Sequence, residues 1–156
     1  MLNFPFDPIK RAREVEAIVT AGLDRKYHRF RPAPYYGGIA TADAVGCCFL
    51  CAYCWSYFRI LRPEKHGEFY SPEAVSDQLL KIAQKKRFKY VRITGCEPIL
   101  GERCLEHLVR VIERVLKTDS QLTFVLETNG LLLGYYPDFI PRLNLPRLTV
   151  RVALKG

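Results

Sequence analysis

Between residues 39 and 154 the sequence switches repeatedly between two periodicities, and that alternation restricts the fold more than anything else in the chain. Leu105, Leu108, Val109, Ile112, Val115 and Leu116 recur every three or four positions, the apolar stripe of an amphipathic helix. Val75, Leu79, Ile82 and Ala83 repeat in the same way behind Ser71-Pro72-Glu73, which reads as a helix start. Short apolar runs at 39–45, 90–94, 122–127 and 148–154 read as strands, and a shorter, proline-marked helical piece spans 137–143. Strands separated by helices pair in parallel through right-handed crossovers, so an α/β fold built from βα units is predicted. Ahead of these units, Asp7-Pro8 reads as an N-cap followed by proline at the first helical position. Ile9, Ala12, Val15, Ile18 and Val19 share one face of that helix, and Gly22 is its stop. The punctuated run RPAPYYGG at 31–38 reads as a connector. The division expected is therefore 1–36 for the N-terminal helix and connector, and 37–156 for the βα core.

In βα architectures the working loops lie beyond the carboxyl ends of the strands. Four segments qualify: residues 46–55, Gly95-Cys96-Glu97-Pro98, Thr128-Asn129-Gly130 and Lys155-Gly156. The basic run Lys85-Lys86-Arg87-Phe88-Lys89 falls between a helix and the next strand, hence at the opposite end, where positive charge complements a helix C-terminus.

The first of those loops, GCCFLCAYCW, holds four of the six cysteines. A structural zinc site takes four ligands from separated pairs, a demand that adjacent Cys47 and Cys48 meet badly. A ferredoxin loop would need a further cysteine, but positions 57 and 58 are Tyr and Phe. A redox pair of Cys51 and Cys54 leaves Cys47 and Cys48 unexplained. The remaining register is Cys47, Cys51 and Cys54, C-x3-C-x2-C with Tyr53 before the last cysteine.

This spacing, at the end of a first strand, resembles the cluster motif of the radical S-adenosylmethionine superfamily. Thr94-Gly95-Cys96-Glu97-Pro98 stands where that family carries Gly-Gly-Glu-Pro after its second strand. The resemblance implies a partial (βα) barrel in which Cys47, Cys51 and Cys54 ligate a [4Fe-4S] cluster. The iron without a protein ligand would take the methionine part of S-adenosylmethionine. It further implies that Glu97, with the Gly95 backbone, holds the methionine ammonium, that Tyr53 lies near the adenine, and that Cys96 and Pro98 belong to the same cofactor-binding motif. Thr128, Asn129 and Lys155 match the third and fourth strand ends of glycyl-radical activating enzymes. Ala153 departs from their pattern, in which an aspartate precedes the lysine by two, and Cys96 replaces a glycine, a change that suits a backbone without positive φ.

The activity so implied is reductive cleavage of S-adenosylmethionine to a 5′-deoxyadenosyl radical that abstracts hydrogen from a substrate such as protein or RNA. It calls for a one-electron donor such as a ferredoxin or flavodoxin. A full eight-stranded barrel takes about 250 residues, so with four βα units the barrel reads as truncated, to be completed by a further segment or partner chain. The rival reading is a non-catalytic zinc or Fe-S module of a nucleic-acid-binding protein.

A net charge of +8 raises the same question. Bases alternate with aromatics in Arg25-Lys26-Tyr27-His28-Arg29-Phe30-Arg31. Such stretches read first as solvated faces and second as an RNA contact. Cys48 and Cys104 read as packing residues. The sequence has no signal-peptide pattern and no apolar run of membrane-spanning length, so a cytoplasmic protein with no membrane association is expected, with its thiols kept reduced.

Overall fold

The computed structural model describes residues 6–154. Helix α1 (Pro8–Val19) starts where expected: the Asp7 carboxylate accepts from the Ile9 and Lys10 amides at 2.9 and 3.1 Å, and Pro8 occupies the first turn, where its missing N–H costs nothing. Strands β1 (Thr20–Ala21) and β2 (Asp24–Ala33) follow, then β3 (Ile39–Ala44), short α2 (Tyr57–Leu61) and β4 (Glu68–Tyr70). The regular units come next: α3 (Pro72–Lys86), β5 (Tyr90–Gly95), α4 (Glu102–Thr118), β6 (Thr123–Thr128), α5 (Leu131–Tyr135), α6 (Phe139–Arg142) and β7 (Leu148–Val152). Ser71 caps α3 by accepting from the Ala74 amide at 3.2 Å, and Arg87 closes it in the left-handed conformation.

The strands form one mixed sheet in the order β1-β2-β3-β5-β6-β7, with β4 on β2. From β3 to β7 every pairing is parallel, as the βα alternation predicts, and the sheet curls into a half-barrel. The strand β2 was not foreseen. Its residues 25–31, expected as a solvated basic face, pair antiparallel with β4 at 25–27 and with β3 from Tyr27 onward, and only residues 34–38 of the expected connector form a turn. Arg25, Lys26 and Tyr27 are buried. Alternation of charge with aromatics reads as polar surface, yet a strand packed on both faces needs both.

Each strand of this sheet sends alternate residues to two different environments. On the convex face Ala40, Ala42, Val91, Ile93, Phe124 and Leu126 join the apolar stripes of α3 and α4 in a single core. Leu105, Leu108, Val111, Ile112 and Val115 of α4 are buried there, which accounts for the strong periodicity of that helix. Cys48 and Cys104 lie in the same core, fully buried. On the concave face the intervening residues divide by height. Level with the starts of the parallel strands, Ala33 at the end of β2, Ile39 and Val125, with Tyr90 against them, form a small apolar floor. Toward the strand ends stand Asp43, Arg92, Thr94, Glu127 and Arg151, which are polar or charged.

Candidate cofactor site at the strand ends

Three of the four loops beyond the strand ends meet around a cavity of about 290 Å³. Cys47, Cys51, Tyr53 and Cys54 come from the loop after β3. Gly95, Cys96 and Glu97 come from the end of β5, and Thr128 and Asn129 from the end of β6. Phe49, Trp55, Thr94, Glu127 and Ala153 complete the wall. Pro98 is buried and does not line the cavity, and Lys155 lies outside the described residues.

Backbone conformation brings the loops this close. Gly95 has φ +102, and a Cβ there would stand 3.0 Å from the Ala44 nitrogen and the Asp43 Cα, so β5 can turn away from β3 only through glycine. Gly46 has φ +90 and faces Val15 of α1, where a Cβ would meet Cγ1 at 2.6 Å. The Cys96 amide then donates to the Ala44 carbonyl at 3.3 Å and the Glu97 amide to the Gly46 carbonyl at 2.9 Å. Cys96 itself is not among the residues with positive φ, so a cysteine in place of glycine carries no backbone strain.

Glu97 ties the three loops together. It is 2 % exposed, and its carboxylate accepts from the Thr128 hydroxyl at 2.6 Å and the Ile99 amide at 2.9 Å on one oxygen, and from the Asn129 amide at 2.7 Å on the other. Buried Arg25 donates 2.9 Å bonds to the carbonyls of Glu97 and Val45. Burial pushes the Glu97 carboxyl up to about 7, against the hydrogen bonds from Asn129, Thr128 and Ile99 and the charge of Arg25. Three donors leave room on a carboxylate with about four acceptor positions for one more. Sequence reasoning selected Glu97 and missed Arg25, since an arginine anchored on backbone carbonyls carries no partner motif in the sequence.

The cysteines are not equivalent. Cys47, Cys51 and Cys54 are half-buried on the cavity wall, whereas Cys48 points into the core. The Cys47 thiol is held below its ordinary range by a hydrogen bond with Cys48 and by the Phe49 amide, which lies 3.4 Å from its sulfur. Asn129 reaches back from β6, its Nδ2 lying 3.2 Å from the Cys48 sulfur, while its Oδ1 accepts from the Leu131 amide at 2.9 Å. The Cys96 thiol faces the same cavity and is pushed up to about 12, first by burial and then by its neighbour Cys47. Among the described residues no three His, Cys, Asp or Glu side chains converge on a single ion. A multi-iron cluster makes a different demand, because each thiolate binds its own iron. Three thiols spread over one wall match that donor set.

A family profile, the Radical SAM superfamily, matches residues 43–152. The match begins at the end of β3 and runs through the cysteine loop, Gly95-Cys96-Glu97-Pro98 and the end of β6 to the last residue of β7. The chain therefore belongs to the radical SAM superfamily, whose members generally bind a [4Fe-4S] cluster and S-adenosylmethionine. No curated protein matches the chain. Among the described residues no helix is long and apolar enough to cross a membrane.

Proposed function

We propose that the protein is a radical S-adenosylmethionine enzyme and that Cys47, Cys51 and Cys54 ligate its [4Fe-4S] cluster. The observation that carries this reading is the meeting of three strand-end loops around one cavity, with three thiols on one wall and a buried carboxylate, Glu97, on another. When bound, the cluster and S-adenosylmethionine supply one-electron cleavage of the cofactor's carbon–sulfur bond and a 5′-deoxyadenosyl radical. The electron would come from a ferredoxin or flavodoxin.

The chain's own residues bind and orient. Glu97 would hold the methionine ammonium at its remaining acceptor position, a charge-assisted contact strengthened by burial. The Cys96 and Glu97 amides are already engaged by the Ala44 and Gly46 carbonyls, so the Gly95-Cys96-Glu97 segment is a fixed platform for that contact. Tyr53 and Trp55, both largely exposed at the cavity rim, would be the rings available to stack against the cofactor's adenine. Thr128 and Asn129 act chiefly through Glu97, by keeping its carboxylate in place.

Protein reconstituted anaerobically, reduced and given S-adenosylmethionine is expected to form 5′-deoxyadenosine. The Glu97→Gln variant is expected to keep its iron and to need at least tenfold more cofactor. Protein that contains zinc, holds no iron and releases no 5′-deoxyadenosine would overturn the reading in favour of a non-catalytic metal module.

A further inference from the structure

A second and larger cavity of about 770 Å³ opens on the concave face beside the first, and Trp55, Thr94 and Glu127 border both. That volume is typical of a small-molecule site. Four arginines line it: Arg29 and Arg31 from β2, Arg92 from β5 and Arg151 from β7. Among the described residues, the carboxylates that meet them are two. Asp43, with no side-chain exposure, takes the Arg29 Nε at 2.5 Å and Arg31 at 2.7 and 3.2 Å. Glu127 takes Arg92 at 3.2 and 3.3 Å and Arg151 at 3.3 Å, and accepts from the Thr94 hydroxyl at 2.7 Å. Each carboxylate thus neutralises one guanidinium of its pair, and two positive charges remain facing a concave, partly desolvated space.

This excess is built in. Tyr27 and Arg29 are two apart and would share a face in a regular strand, yet Tyr27 packs in the helix-side core while Arg29 faces the cavity. The register of β2 against β3 shifts between Tyr27 and Arg29, and this bulge reverses the alternation so that Arg29 and Arg31 both point inward. Rings lie beside the guanidiniums: Arg92 is 4.8 Å from the Tyr35 ring centre, Arg151 5.4 Å from Tyr36, and Arg29 5.7 Å from Trp55. Tyr36 holds its place at φ +57, a conformation that bulky residues rarely adopt. Asp43 stays ionised in this setting. Burial would raise its carboxyl, but the bonds from Arg31 and Arg29 outweigh burial and bring it below the ordinary range.

We propose that this cavity is the substrate site and that it binds an oxyanion, so that the substrate is a small organic phosphate or carboxylate held by Arg29, Arg31, Arg92 and Arg151. Preorganised guanidiniums suit such groups because their planar forks match two oxygens at once. The inference rests on the proposed function only in naming the anion as substrate, since its reactive carbon would face the neighbouring cavity.

Calorimetric titration of the reconstituted protein at low ionic strength, with inorganic pyrophosphate in one arm and citrate in the other, tests it. Saturable binding of at least one is expected, and the preferred arm identifies phosphate or carboxylate chemistry. Affinity should fall as salt is raised. Arg151→Gln and Arg31→Gln, each confirmed as folded by circular dichroism, should weaken binding on the order of tenfold while iron content stays unchanged. Three results would overturn the proposal: neither anion binds, binding persists unchanged in both variants, or S-adenosylmethionine displaces the anion, which would assign the arginines to the cofactor's carboxylate. Anion binding in a protein that forms no 5′-deoxyadenosine would sink the radical-enzyme reading and leave an anion site.

Discussion

The two faces of the sheet are made from the same strands and hold opposite kinds of chemistry. β5 sends Val91 and Ile93 to the helices and Arg92 and Thr94 to the concave side. β6 likewise gives Phe124 and Leu126 to one face and Glu127 to the other. The convex face carries the stability, because apolar area is removed from water there. The concave face holds ion-paired charges, whose burial contributes little to folding. The division follows from a two-residue period, and one bulge in β2 is enough to move a pair of arginines from one face to the other.

The largest effect separating the faces should come from truncation. Leu105→Ala, at a fully buried position in α4, is expected to lower stability by about 2–5 kcal/mol, whereas Thr149→Ala, on exposed β7, should stay within about 0.5 kcal/mol. Denaturant melts of the two variants measure the difference. Equal losses would mean that the concave face is also a packed core.

The pH dependence of stability should have opposite signs in the two regions. His107 is buried against Tyr27, its Nε2 3.0 Å from the hydroxyl, with Nδ1 2.7 Å from the Leu23 carbonyl. Burial first, opposed by that backbone bond, brings its pKa down to about 4. Between 4 and 6.5 the unfolded chain binds more protons, so this contribution is lost as pH falls through that window. Glu97, raised to about 7, does the reverse: the folded state holds the proton, and stability is lost as pH rises from 4.5 to 7. At about 1.4 kcal/mol per pH unit, each accounts for at most roughly 3–4 kcal/mol. His107→Gln should flatten the acid-side loss and Glu97→Gln the loss toward neutrality, as read from melts across pH 4–8.

The same contrast explains what the sequence disclosed. Parallel strands and crossover helices write their burial into two clean periods, and so β3, β5, β6, β7, α3 and α4 were legible. The cysteine loop and Gly95-Cys96-Glu97-Pro98 were legible because their spacing is local. The strand β2 was not, since alternation of arginine with aromatics signals polar surface until the bulge and the buried partner Asp43 are known. Arg25 and Asp43 escaped for a related reason: their partners lie 12 to 72 positions away, and only the closed sheet brings them together. Pro98, grouped with the cofactor motif, is buried behind the cavity wall.

The proposed ligand register depends on which cysteines face the cavity, and iron and acid-labile sulfide in anaerobically reconstituted Cys51→Ala and Cys48→Ala test it most directly. Cys51→Ala should lose most of its iron and sulfide. Cys48→Ala, which removes a thiol buried in the core, should keep a full complement. Full retention in Cys51→Ala with loss in Cys48→Ala, in a protein still folded, would contradict the assignment of Cys47, Cys51 and Cys54.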